Sequence, residues 1–437
     1  MKLAGHYFMA AVLQGAVFTL ASPVVRGQDA TGGYVSRKEY EELKAEMLAM
    51  KKELASLKKA KRAESNQESP KSQATAADTG KEVATPAVPL QEPTLGTTKF
   101  HIAGFGVGMF EARNGSVSDF SATFNPIFLW EMSPKLLFES RLEIEPSGSG
   151  TNVNLVYAQL TYLLNDYITL GAGEFFTPSN IFVERFEPLW INKLPDRPLA
   201  VYNGILPETS VGFEVRGGFP IGPTRANYAF YVSNGPNLNA FDPRTVGTLE
   251  FNDFSDNNDD KAFGGRVGFM PIPGVETGYG FETARPGTQG SSFAHVRSLL
   301  QSVDLNVTRD SDLLKGRIDL HAQYAWSKID HAVYDPDGSL GFGPLSFTGK
   351  RDGGYAQVAY RPTKVDGDFV RNLELIFRWD YLNRAPSGLG APEEERLTLG
   401  LDYWLAPSTV VKAAFEWDNP QGERNKNALL LQVATGF

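Results

Sequence analysis

The sequence predicts an all-β protein: a 16-stranded antiparallel transmembrane β-barrel preceded by a short α-helical coiled coil. Three observations carry that expectation. From Thr97 onward, segments of roughly ten residues alternate apolar and polar side chains, the period of a membrane-crossing strand. The connections between them are short and long in turn. The chain finishes on an alternating apolar row, ALLLQVATGF, whose final residue is aromatic.

Composition agrees. The 437 residues are 42% hydrophobic and 12% aromatic, with 43 glycines, yet no apolar run beyond the first 25 residues is long enough for a membrane helix. Cysteine is absent, which excludes disulfides, thiolate metal sites and cysteine nucleophiles. A net charge of -9 argues against nucleic acid as a partner.

Residues 1–27 read as a secretory signal peptide. Lys2 is followed by an apolar stretch from Tyr7 to Leu20 and then by small residues, with cleavage expected after Ala21 or Gly27. Residues 28–61 contain a heptad seam of Tyr40, Leu43, Met47, Met50, Leu54 and Leu57, spaced alternately three and four apart. Glu39, Glu46 and Glu53 fall at g, and Lys44, Lys51 and Lys58 at e, so parallel in-register copies would pair Glu with Lys. Residues 62–97 are rich in Ser, Ala, Thr, Pro and Gln without periodicity, the composition of a flexible linker.

Residues 98–437 hold the barrel. Sixteen segments are separated by turns such as Asn165-Asp166 and Pro273-Gly274 on one side, and by long pieces at 176–210, 235–260 and 328–351 on the other. That asymmetry places the short turns in the periplasm and the long loops outside the cell. In LELIFRWDY, Leu373, Leu375, Phe377, Trp379 and Tyr381 share one face, and Glu374, Ile376, Arg378 and Asp380 the other. Aromatics near strand ends, as at Tyr162, Tyr360, Tyr381, Tyr403 and Trp417, suit interfacial girdles. The apolar face is therefore expected outward, towards lipid. In the last strand Leu429, Leu431, Val433 and Phe437 share that face, and the strand must pair with the first to close the barrel.

The signal peptide, heptads, linker and barrel together resemble trimeric outer-membrane porins, in particular the phosphate-selective porin O and P group and dicarboxylate-type porins with an N-terminal periplasmic coiled coil. The terminal Phe437 resembles the assembly signal of such barrels. The resemblance implies a homotrimer in the outer membrane of a Gram-negative-type cell, with lipid and lipopolysaccharide as neighbours. It also implies a water-filled channel for small hydrophilic solutes and ions, anions such as phosphate or dicarboxylates among them, and a long loop that folds inward and narrows the pore.

Here that loop follows the fifth strand and carries Arg185, Glu187, Lys193, Asp196 and Arg197, with Phe182, Phe186, Leu189 and Trp190 as apolar anchors. Alternation places Arg141, Arg216, Arg266, Arg317, Arg361 and Arg378, with Lys412, on the lumen wall, beside more numerous acids such as Glu143, Asp319 and Asp380. Guanidinium offers a fixed donor fork to carboxylate or phosphate. Residues 98–437 nevertheless hold 40 acidic against 29 basic residues, so no dense basic ladder is expected. The acid-rich NDFSDNNDD at 252–260 offers oxygen donors for Ca²⁺ or a divalent bridge to lipopolysaccharide, and DPDGS at 335–339 resembles the start of a calcium loop without the rest of its spacing. Solvated turns are the favoured reading of both, and the five histidines show no metal spacing. His321 follows Asp319 on one face without a convincing serine partner. No catalytic residue, cofactor or metal is implied. The alternatives are a plugged structural or adhesive barrel and, less favoured, a barrel enzyme.

Overall fold

The structure, a computed structural model, describes residues 99–437 except 203, 243–244, 252–253, 342 and 384–392. The expected signal peptide, the seam from Tyr40 to Leu57 and the linker lie outside the described residues.

The barrel strands are β1 (Lys99–Arg113), β2 (Asp119–Ser133), β3 (Leu136–Ser147), β4 (Gly150–Asn165) and β5 (Ile168–Phe176). They continue with β6 (Thr209–Ile221), β7 (Thr224–Ser233), β8 (Ala262–Ile272), β9 (Val275–Ala284), β10 (Ser298–Ser311) and β11 (Gly316–Tyr334). The last are β12 (Leu345–Arg361), β13 (Leu373–Asn383), β14 (Glu393–Ala406), β15 (Thr409–Pro420) and β16 (Ala428–Gly436). Each pairs antiparallel with its neighbours in sequence, and β1 pairs with β16, so the barrel is closed. Phe105 lies opposite Gly436 and Arg113 opposite Ala428. All sixteen expected segments are strands of this barrel.

One end is built from tight turns. Two residues separate β2 from β3, β4 from β5, β6 from β7, β8 from β9 and β14 from β15. Gly274 sits at φ 73°, where a hairpin turn needs a positive angle, and a Cβ there would meet Thr308 O at 2.4 Å. In the β4–β5 turn the Asn165 side chain accepts from the Tyr167 and Ile168 amides at 2.9 and 3.0 Å, a local bond that fixes the bend. The opposite end carries the three longest connections, 177–208, 234–261 and 285–297.

The barrel is polar inside and apolar outside. Phe213 is 73% exposed and Leu375 55%, whereas Arg378, Asp380 and Glu416 are fully buried. Along β13, Glu374, Ile376, Arg378 and Asp380 face in and Leu375 and Phe377 face out, as alternation requires. Such an apolar belt is stable only against hydrocarbon.

The expected loop at 328–351 is shorter than the sequence suggests. Residues 328–334 and 345–351 remain in β11 and β12, which pair across a bulge up to Tyr334 and Leu345. Their inward side chains have an apolar cluster to enter. Ile329, Ala332 and Tyr334 pack with Ile205, Leu238, Val246, Leu249, Phe293 and Val296, and Phe347 lies against them. The long connections thus share a small core at that end of the barrel.

Candidate functional site

The site is the lumen, and its shape is set by residues 177–208. This loop contains two short helices, α1 (Ile181–Phe186) and α2 (Leu199–Tyr202). It lies inside the barrel because its apolar side chains find matching recesses on the wall. Leu194 is fully buried among Ala359, Ile376, Ala414, Ala428 and Leu430. Gly400 makes room for it, since a Cβ there would stand 2.4 Å from Leu194 Cδ2. Trp190 covers Gly436 and packs with Leu189 beside Phe105, Val107, Val410 and Ala434. Phe182 meets Tyr355 edge to face. Small residues on the inner faces of β14 to β16 are the counterpart of this loop. That signal was present in the sequence and was missed.

Wall donors then hold loop carbonyls. Lys412 Nζ donates to Leu189 O at 2.6 Å and Asn192 O at 2.5 Å. Arg378 donates to Asp196 O at 2.9 Å and Arg197 O at 3.2 Å. Ser302 and Gln323 both donate to Ser179 O, at 2.8 and 3.0 Å. The stretches of the loop outside α1 and α2 need these partners, because a buried unpaired carbonyl is costly.

Ion pairs complete the attachment. Arg141 on β3 grips Glu187 at two points, 2.5 and 3.0 Å. Arg197 pairs with Glu187 and with Glu208. Arg216 on β6 pairs with Glu184. Arg185 reaches Glu276 on β9 at 2.6 Å. Lys193 lies 2.7 Å from Glu374 and 3.4 Å from Asp319. Asp196 takes Arg396 at 2.7 Å. The loop therefore touches the wall on β3, β6, β9, β11, β13 and β14 and crosses the lumen.

All five expected loop residues are in this network, and so are Arg141, Arg216, Arg378, Asp319 and Lys412. The structure gives Arg378 and Lys412 a different task from the one the sequence suggested: they hold the loop and do not face solutes. Arg378 is also bound to Asp380 at 2.8 Å. Arg266 is saturated by Asp304 and Glu276 at 2.7 and 3.0 Å. Arg317 sits at the tight-turn rim, paired with exposed Asp310. Arg361 is at the same rim, donating to Arg371 O and lying over the Trp404 ring. Glu143 is half-buried on the wall near Glu145. Sequence reasoning missed Arg113, Arg396 and Asp418, which join Glu416 and Asp196 at the long-loop end. His321 contacts Asn306 Oδ1 at 3.0 Å and lies against Phe186.

Space remains beside the loop. A cavity of about 240 Å³ is lined by Pro178, Glu184, Arg185, Arg216, Asn227 and Arg266. Two of the loop pairs present their cation to that space. Arg185 is 37% exposed against 11% for Glu276, and Arg216 is 35% against 11% for Glu184. Away from that cavity the order reverses in the Arg197 pair, where Glu208 is 41% exposed against 19%.

No family model matches the chain, and no curated protein matches it. Solved structures do. The anion-selective porin from Comamonas acidovorans is similar over 78% of this chain and 100% of its own, at 11% identity and a TM-score of 0.48. OmpF of Salmonella typhi, solved with daunomycin, is similar over 78% and 98%, at 10% identity and 0.49. The outer membrane channel DcaP of Acinetobacter baumannii is similar over 78% and 97%, at 10% identity and 0.47. At this identity and TM-score the likeness says nothing about solute or assembly.

Proposed function

We propose that the protein is an outer-membrane channel for passive diffusion of small hydrophilic solutes, narrowed by residues 177–208. The observation that carries this reading is the loop itself. It spans the lumen of a barrel with an apolar exterior, yet leaves charged, solvent-accessible space along one side. The tight turns then face the periplasm and the long loops the outside, with lipid and lipopolysaccharide around the barrel.

Small anions such as phosphate or dicarboxylates are the preferred class. The total charge of the barrel region is acidic, but the accessible partner in the Arg185 and Arg216 pairs is the guanidinium. Copies associate as a homotrimer: the g/e pairing of the heptads supports parallel association, and the resemblance to trimeric porins suggests three. Native gels of a variant with Leu43, Met47, Leu54 and Leu57 changed to Asp test that; an unaltered trimer removes the argument.

The plugged barrel is the second reading, favoured by the number of wall strands the loop reaches. Planar-bilayer recording of the purified protein separates the two. Discrete conductance supports the channel, and its absence in folded protein supports the plug.

A further inference from the structure

The outer surface carries a second charged feature, far from the lumen. Where the apolar face ends towards the long loops, five consecutive strands each bear one base. Lys261 precedes β8, Arg285 follows β9, Arg297 precedes β10, and Lys328 and Lys350 lie on β11 and β12. Strand alternation sets their direction. Leu300, Ser327 and Arg351 face in, where Arg351 donates to Gly204 O, so Leu299, Lys328 and Lys350 face out. Among the described residues, the outer faces of β13 to β16 and of β1 to β7 carry no lysine or arginine at that level.

Two of the five bases are neutralised, Lys261 by Asp256 and Arg285 by Asp260. The other three, Arg297, Lys328 and Lys350, are exposed and make no ion pair among the described residues. Lys328 and Lys350 are direct cross-strand partners. Like charges so placed repel, and an antiparallel pair normally avoids them. Asp330 and Asp352 share this face. Asp352 is already taken by Tyr324 and Asn383, at 2.5 and 2.9 Å, and Asp330 pairs with none of the three bases.

Directly beneath lie ring edges suited to a membrane interface. Trp326 and Tyr324 are the next outward residues down β11, and Tyr279 is linked through Gln301 to Trp326. Lys328 is two residues above Trp326, about 7 Å along the strand. That is the depth of a headgroup phosphate when the aromatic ring sits at the hydrocarbon boundary.

We propose that Arg297, Lys328 and Lys350 form a binding site for the phosphate groups of an anionic outer-leaflet lipid, which neutralises the opposed lysines. The inference rests on the outer-membrane placement but not on conduction. The test uses folded, heat-modifiable full-length protein in detergent, and reads lipid alone, so a non-conducting barrel leaves the result standing. Wild type and the R297Q/K328Q/K350Q variant are titrated with bisphosphorylated lipid A, with the same lipid dephosphorylated, and with inorganic phosphate as competitor. The wild type is expected to bind the phosphorylated lipid about tenfold or more tightly than the variant does, and to lose that advantage at molar salt. Equal affinities overturn the site, as does equal binding of the dephosphorylated lipid. Displacement by millimolar inorganic phosphate assigns the chemistry to a free anion and overturns the lipid. Separately, K328Q in lipid-free detergent is expected to unfold no earlier than wild type, because it removes a repulsion; earlier unfolding contradicts the opposed-charge argument.

Discussion

Arg141 on β3 and Glu187 on the loop meet inside the barrel as a two-point pair, with both side chains almost fully buried. Arg197 closes on the same carboxylate from the loop side. One acidic group therefore holds two arginines. Replacing Glu187 by Ala strands Arg141 in a dry setting and removes one of the carboxylates that Arg197 pairs with, which costs about 3–5 kcal/mol of loop docking. E187A is expected to give a noisier and larger single-channel current with an intact barrel. Replacing Arg141 and Glu187 together by Met and Leu is expected to cost less than E187A alone, because no charge is stranded. A double variant at least as damaged as E187A contradicts this.

The Glu187 and Lys193 attachments of the loop are expected to stay intact over a broad pH range. Burial by itself would raise the Glu187 carboxyl, but Arg197 and then Arg141 outweigh it and hold the group below the ordinary glutamate value. A depressed folded pKa stabilises the docked form above the unfolded value of about 4.3, and that contribution is lost as pH falls through the folded value. Lys193 works with the opposite sign. Burial opposes its charge, Glu374 and Asp319 outweigh burial, and the ammonium is held above the ordinary lysine value. Its contribution is complete below about pH 10.4 and is lost only as pH rises through the raised value. Variants E187Q and K193Q, compared with wild type by hydrogen exchange of residues 177–208, are expected to lose protection by a margin that is constant between those limits. A margin that vanishes near neutrality contradicts the pairing.

Gly400 gives a steric test of the same seat. Even the Cβ of alanine would crowd the flexible end of Leu194, and valine adds two methyl groups. G400V is expected to displace the loop and change conductance while the barrel still folds, since Gly400 only lines the recess. Unaltered conductance in folded G400V would place Leu194 elsewhere.

Closure of the barrel depends on its last residue. Phe437 exchanges backbone bonds with Gly104 at 3.0 and 3.1 Å and stacks on Phe124 at 5.8 Å. Deleting Phe437 is expected to reduce the folded, heat-modifiable form several-fold, whereas deleting Gly338 in the 335–344 loop is expected to have little effect. Normal amounts of folded protein lacking Phe437 would remove its assembly role.

The strands were legible because a barrel with lipid outside and charge inside writes a period of two in plain polarity, as in Glu374 to Tyr381. The bulged tops of β11 and β12 were not. Their inward residues, Ile329, Ala332 and Tyr334, are apolar and pack on loop residues distant in sequence, so inside and outside look alike there. The inward path of residues 177–208 was legible from Phe182, Leu189 and Trp190. The pairings were not, because alternation gives direction but not distance. Nothing local marks Lys193 for Glu374, 181 residues away. For the same reason the inward arginines looked available to solutes, while Arg378 proves to be a clamp on the loop backbone.

Single-channel recording of a variant lacking residues 182–197, beside wild type, tests the central claim most directly. The account expects wild type to conduct and the folded deletion variant to show a clearly larger conductance. With Arg185, Lys193 and Arg197 gone, the reversal potential in a salt gradient should move towards cation preference, and that shift should shrink at molar salt, where the screening length is about 3 Å. A wild type that does not conduct, or a correctly folded deletion variant with unchanged conductance, would contradict the account.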